Sequence, residues 1–263
     1  MRARAILSAA LAVVCGALFT LNAQVFRDSW STVPTAKAGP MPRTKEGKPD
    51  LSGYWQHRTG APWNILDHKA EYGIPAAPGI VEGDALPYKP GGIEKRDALV
   101  KDASLDPEAN CHMSGVPRVT YAPFPFKIVE KPDEVVILYE NVHTWRVIPI
   151  GGNHQEGPPT WMGNSVAHWE GDTLVVDVTN QNDKTWFDMA GNWHSDAIHV
   201  VERYQPIDAN TIWYQATIED PKVFTKPWRM RFPLYRPADK NFTLLEFECS
   251  EGERDLQHYV PAK

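Results

Sequence analysis

From Phe126 onward, apolar and polar positions alternate in short runs, and turn-forming residues separate the runs. "FKIVEKPDEVVILYE" holds two β-rich runs around Lys131, Pro132 and Asp133, a hairpin signal. "TWRVIPI" reads as another strand. "NSVAHWEGDTLVVDVT" repeats the device around Glu170, Gly171 and Asp172. "AIHVVERYQPIDANTIWYQATIED" repeats it around Asp208, Ala209 and Asn210, and "PWRMRFPLYR" with "FTLLEFECS" makes a last pair around "PADKN". The pattern predicts roughly eight strands joined by short turns, an antiparallel meander. A meander removes its unpaired edges by closing into a lipocalin-like barrel or by curving strongly, so the expected class is mainly β.

The N-terminal part reads differently. Residues 24–125 carry 13 of the 23 prolines. "AGPMPRTKEGKPDLSGYWQ" reads as an extended stretch ending in an aromatic anchor, Tyr54-Trp55, and "IEKRDALVKDA" is the one modest helical segment. So long a stretch without regular structure rarely stands alone in a compact domain. It is expected to be an irregular arm wrapped on a β-barrel domain at 126–263. Residues 1–23 read as a secretory signal peptide, with Arg2 and Arg4 before the apolar run Ile6 to Leu21 and a small residue, Ala23, before the cut. The expected location is periplasmic or secreted, and no later apolar run is long enough to cross a bilayer as a helix.

The formal charge is -6. Removing Arg2 and Arg4 makes it -8, a poor fit to a nucleic-acid backbone. Beyond the leader two cysteines remain, Cys111 and Cys249, and in an oxidising compartment they most simply form one disulfide. Their spacing is not of the kind that builds a zinc site.

Several strings resemble a family of secreted bacterial proteins of uncharacterised activity: "GKPDLSGYW", "HWEGDTLVVDVT", "NDKTW", "HSDAIHVVER" and "DPKVFTKPW", in that order. Both cysteines sit at family positions, in "NC" and "EC". At "IPIGGNHQEGPPTW" the chain departs from the family's more usual "DGRPHP", so no role of that arginine carries over. The resemblance implies an exported protein and brings no activity with it.

Candidate chemistry gathers between His143 and His199, which span five of the nine histidines. "GNWHSDAIHVVERY" sets His194, Asp196, His199 and Glu202 into a run that otherwise reads as buried strand. Alternation puts Asp196, Ile198, Val200, Glu202 and Tyr204 on one face, and Ala197, His199, Val201 and Arg203 on the other. A carboxyl in an apolar pocket is poised for general acid or base work. The plainer reading pairs Glu202 with an arginine such as Arg146 or Arg229. Catalytic candidates are His194, Asp196, His199, Glu202 and His143. Arg146 is a candidate anion clamp. Asp183, Lys184, Trp186 and Asp188 lie in "QNDKTWFDMAG", read as a lid over the barrel mouth, and Trp161 completes the candidate binding residues.

No HExxH spacing, GxSxG elbow or glycine-rich nucleotide loop occurs. No metal or other cofactor is expected. The leading expectation is an extracytoplasmic small-molecule enzyme using His/Asp/Glu acid-base chemistry of the lyase, isomerase or hydrolase type. The alternatives are a non-catalytic lipocalin-like ligand-binding protein and a sugar-binding module. They differ in what must converge: an enzyme needs two ionisable groups meeting in a concave site, and a sugar module needs a row of exposed tryptophans.

Overall fold

The turn signals of the C-terminal half end strands where they fall. The computed structural model describes residues 38–70 and 75–249. The expected leader, the first residues of the arm and residues 250–263 lie outside the described residues. The strands are β1 (Gly53–Trp55), β2 (Phe126–Glu130), β3 (Glu134–Tyr139), β4 (Trp145–Pro149), β5 (Asn164–Glu170), β6 (Thr173–Thr179), β7 (His199–Asp208), β8 (Thr211–Glu219) and β9 (Trp228–Tyr235). At the β5–β6 turn, Gly171 takes a positive φ of 60°, which an L side chain rarely adopts. The helical segment of the arm forms α1 (Gly92–Leu99).

The strands make two antiparallel sheets, ordered β1-β2-β3-β4 and β5-β6-β7-β8-β9. The expected mainly β, antiparallel class is the observed one; where a single lipocalin-like barrel or strongly curved sheet was expected, the described strands form two sheets. Among the described residues each seam between the sheets is a single bridge. At one seam Ile150 meets Ala167, and the Gly151 N–H donates to the Ala167 carbonyl at 2.7 Å. At the other, Gln56 and Tyr235 exchange two hydrogen bonds of 3.0 and 2.8 Å. The reasons are local. β4 ends in Pro149, which has no N–H to extend a ladder, and β1 is only three residues long. A second correction concerns residues 242–249, expected as a last strand. They pair with no ladder. Phe242 packs edge-on against Tyr54, Phe247 packs on Phe124, and Cys249 is disulfide-bonded to Cys111.

Alternation along the strands sends one set of side chains into a shared core. Phe126, Ile128, Val135, Ile137 and Ile148 come from the four-stranded sheet. Leu174, Val176, Val200, Ile212, Ala216, Met230 and Phe232 come from the other. The arm joins this core through Leu51, Trp55, Ala61, Ile65, Ile80 and Leu86, all buried. It also pairs with the β-rich half through the isolated bridges Val81–Met230 and Tyr88–Phe224. The arm thus buries its own apolar groups against the sheets, which offsets the entropy of ordering so irregular a segment.

Candidate functional site

The inward face of β7 carries Val200, Glu202 and Tyr204 into the core. Glu202 is fully buried, and its Oε2 accepts from Arg146 Nη2 at 2.6 Å. Its Oε1 accepts from the hydroxyls of Tyr204 at 3.1 Å and Tyr214 at 2.9 Å. Arg146 also donates to Ser165 Oγ at 2.8 Å. Burial works against the Arg146 charge, but the Glu202 carboxylate outweighs it and the guanidinium is held firmly protonated. The ion-pair alternative read from the sequence is therefore the observed arrangement. Glu202 is fully buried among these partners, and Arg146, buried too, is directed at Glu202 and Ser165.

His194 and Asp188 are buried in the same sense. The His194 Nε2 lies 2.6 Å from Thr185 Oγ1 and 3.2 Å from Gln181 Nε2, both able to donate to it. Its Nδ1 lies 2.9 Å from the Ser195 carbonyl, which fixes the Nδ1–H tautomer. Burial holds the ring below the usual imidazole range, with the Ser195 carbonyl opposing. Asp188 accepts from the backbone N–H of Ile65 at 2.8 Å and from Asn192 Nδ2 at 2.7 Å. Burial pushes its carboxyl up to about 6. These contacts pin the segment read as a lid to the arm and the core, and Trp186 is buried with them.

The remaining candidates scatter. Asp196 lies on the surface, where Lys222 Nζ donates to it at 2.6 Å and holds its carboxyl below the usual range. His143 lies 3.6 Å from Glu248 at the tail. Asp183 and Lys184 are exposed, with the Lys184 ammonium 5.8 Å from the Trp161 ring. Trp161 stacks on His112 with ring centroids 4.8 Å apart. The convergence expected of His194, Asp196, His199 and Glu202 with His143 or Arg146 reduces to the one pair Glu202–Arg146.

His199 points to the opposite face of β7, and there a different group assembles. Register explains it. His199 lies directly opposite Glu219 on β8. Asp177 on β6 lies opposite Val201, which makes His199 its diagonal neighbour. Asp177 also lies opposite Val166 on β5, which makes Asn164 its other diagonal neighbour. A polar row, Asn164, Asp177, His199 and Glu219, thus crosses four strands on the outer surface. Asp177 Oδ2 is 2.8 Å from His199 Nε2, and Glu219 Oε2 is 3.8 Å from His199 Nδ1. His154, from the loop after β4, closes the group: its Nε2 is 2.7 Å from Asp177 Oδ1 and its Nδ1 is 2.7 Å from Asn164 Oδ1. Partial burial pushes the Asp177 carboxyl up, but the hydrogen bonds with His199 and His154 outweigh it and the group lies below its ordinary range.

Glu219 also lines a cleft of about 310 Å³, together with Lys89, Asp220, Phe224, Thr225 and Lys226. Asp220 is committed there, accepting from the N–H and hydroxyl of Ser195 at 2.6 and 2.9 Å. Sequence reasoning had His199 but missed Asp177, Glu219 and His154. The available signal was one polar or charged residue near the same end of the outward face of each of β5 to β8, Asn164, Asp177, His199 and Glu219. Among the described residues, no group of three or more His, Cys, Asp or Glu side chains is arranged to hold a metal ion. Comparison with protein-family models, with curated proteins and with solved structures finds no match to this chain.

Proposed function

We propose that this chain is an extracytoplasmic enzyme that moves a proton on a small molecule, with His199 as its working base and acid. The observation that carries this reading is the 2.8 Å contact between Asp177 and His199 Nε2, which leaves Nδ1 toward Glu219, itself a lining residue of the neighbouring cleft. A carboxylate on one imidazole nitrogen fixes the tautomer and orients the other nitrogen for proton exchange. Asp177 is the orienting group. Glu219, too far from Nδ1 for a hydrogen bond, is the second ionisable group facing a reacting atom. Lyase, isomerase and hydrolase chemistry all use such a pair. The Cys111–Cys249 disulfide supports a periplasmic or secreted location.

A binding protein is the second reading. It is favoured by Trp145, 63% exposed, beside Val147 and Leu138 on the outer face of the four-stranded sheet. A sugar-binding module has less support, because Trp145 is the one exposed tryptophan among the described residues.

The test is a panel of small esters, lactones and enolisable carbonyl compounds, incubated with the protein in D2O and followed by proton NMR. The expected result is hydrolysis, elimination or proton exchange of one class, reduced by roughly 10²-fold or more in His199→Gln. Equal turnover by wild type and His199→Gln, or no turnover of any compound by wild type, would remove His199 from the role and leave the binding reading.

A further inference from the structure

We infer that His154 is a positioning residue: it holds the Asp177 carboxylate in the orientation that fixes the His199 ring. The inference rests on the reading of His199 as the working group. Asp177 has two oxygens, and each meets one imidazole. Oδ1 takes His154 Nε2 at 2.7 Å and Oδ2 takes His199 Nε2 at 2.8 Å. A carboxylate held at one oxygen turns about its Cβ–Cγ bond, whereas one held at both does not.

The anchor behind His154 is equally specific. Its Nδ1 faces Asn164 Oδ1 at 2.7 Å. The backbone N–H of Gln155 donates to that same oxygen at 3.2 Å, so the Asn164 amide presents its oxygen there and its NH2 group is turned away. His154 therefore lies between two acceptors, Asn164 and Asp177, and its Nε2 faces the Asp177 carboxylate as a donor. The loop that carries it leaves β5 after the Gly151 N–H bond to the Ala167 carbonyl and returns to it at His154 and Gln155. Gly151 and Gly152 take positive φ values of 84° and 90°, and a Cβ added at either would touch nothing within 4 Å. Further along, Asn180 Nδ2 ties the loop through the carbonyls of Gly157 and Pro158.

The experiment needs no substrate. Long-range proton–nitrogen NMR on the full chain, with nitrogen-15 in its histidines, reads which ring nitrogens of His154 and His199 carry protons. The expected wild-type signature is a proton on Nε2 of His154 and, on neutral His199, a proton on Nε2. In His154→Leu the His199 signals should shift toward a mixture of tautomers, and in His154→Gln, which keeps an N–H donor for Asp177, they should stay near wild type. Asn164→Leu, a substitution suited to an outward strand position, should produce a smaller shift in the same direction and serves if His154→Leu does not fold. Unchanged His199 signals in His154→Leu, or in Asn164→Leu where that variant stands in, would overturn the inference, as would the lack of a proton on Nε2 of wild-type His154. Failure of the enzyme reading would show in the turnover panel and leave these spectra unaltered, so the two failures are distinguishable.

Discussion

Arg146 and Glu202 meet at 2.6 Å in the middle of the core, although Arg146 belongs to β4 of one sheet and Glu202 to β7 of the other. Among the described residues the direct ladder between the sheets is one bridge at each seam, so this pair is a specific polar tie between them. Both charges are removed from water, and the tyrosine hydroxyls and Ser165 supply much of the lost solvation. A pair of this kind is a poor source of net stability and a strong constraint on alternatives, because either charge alone is costly to bury.

The first prediction concerns that asymmetry. Glu202→Gln removes one charge and leaves the guanidinium unpaired. It should cost about 3–5 kcal/mol in chemical denaturation. The double variant Arg146→Met with Glu202→Leu should recover most of the loss, because no charge is then buried. A double variant as unstable as the sum of its singles would show that the pair does not act as a unit.

The disulfide carries the second. Cys111 and Cys249 lie 138 positions apart, and in the chain-entropy model closing so long a loop stabilises by at most about 5 kcal/mol. Reduction, or Cys249→Ser with Cys111→Ser, should lower the urea midpoint while leaving the β-sheet signal in circular dichroism intact. Intact-mass analysis after alkylation without reductant checks the bond itself, and two alkylated thiols in the native protein would contradict it.

The third follows from Glu130, whose Oε2 accepts from the Leu51 N–H at 2.5 Å and so fastens the arm to β2. Burial raises its carboxyl to about 7, helped by the nearby Asp50 and Glu46 charges and opposed by the Leu51 bond. The folded state keeps the proton between the ordinary carboxyl range and about pH 7, and the unfolded state gives it up. Stability from this group should therefore fall as pH rises through that window and level off above it. His57 acts in the other direction. Burial lowers its ring to about 4, so its contribution is lost as pH falls below the ordinary imidazole range. Subtracting the pH profile of Glu130→Gln from that of wild type isolates the Glu130 part. Parallel profiles from pH 4.5 to 7 would refute the assignment.

Hairpins were the legible part of this fold. "KPD" and "EGD" stop one strand and start another because proline and glycine restrict or free the backbone locally, which needs no tertiary information. The way the sheets meet was not legible, since it depends on where β4 and β1 run out of pairing groups. For the site, alternation assigned Glu202 and His199 to opposite faces, and the structure has them so. It could not say which face was inward, and the pairing of Glu202 with Arg146 required knowing that β4 and β7 face each other. Asp177 and Glu219 become neighbours of His199 only through cross-strand register. His194 was misleading for a different reason: a polar residue in an apolar run looks functional until its hydrogen-bond partners are in view.

The last prediction takes up that histidine. Gln181, the first residue of the segment read as a lid, points inward and links three pieces of chain. Its Oε1 accepts from the Val116 N–H at 2.8 Å, and its Nε2 lies 3.2 Å from the Val116 carbonyl, from Thr185 Oγ1 and from His194 Nε2. Donors and acceptors match only for an amide. Gln181→Glu keeps the volume and the Val116 N–H bond, but sets an anion against a carbonyl, a hydroxyl oxygen and the lone pair of a neutral imidazole. It should cost more than about 2 kcal/mol at neutral pH, since buried donors lost to a charged acceptor are penalised above the ordinary range. The loss should shrink on acidification, because a protonated carboxyl regains one donor and a protonated His194 becomes a donor itself. The introduced carboxyl would have a raised folded-state pKa, so the stability of the variant relative to wild type should fall as pH rises. Urea midpoints of both proteins across the acidic range measure this. A pH-independent difference would mean that Gln181 acts by shape alone, and that His194 keeps its neutral form for reasons of burial without help from this amide.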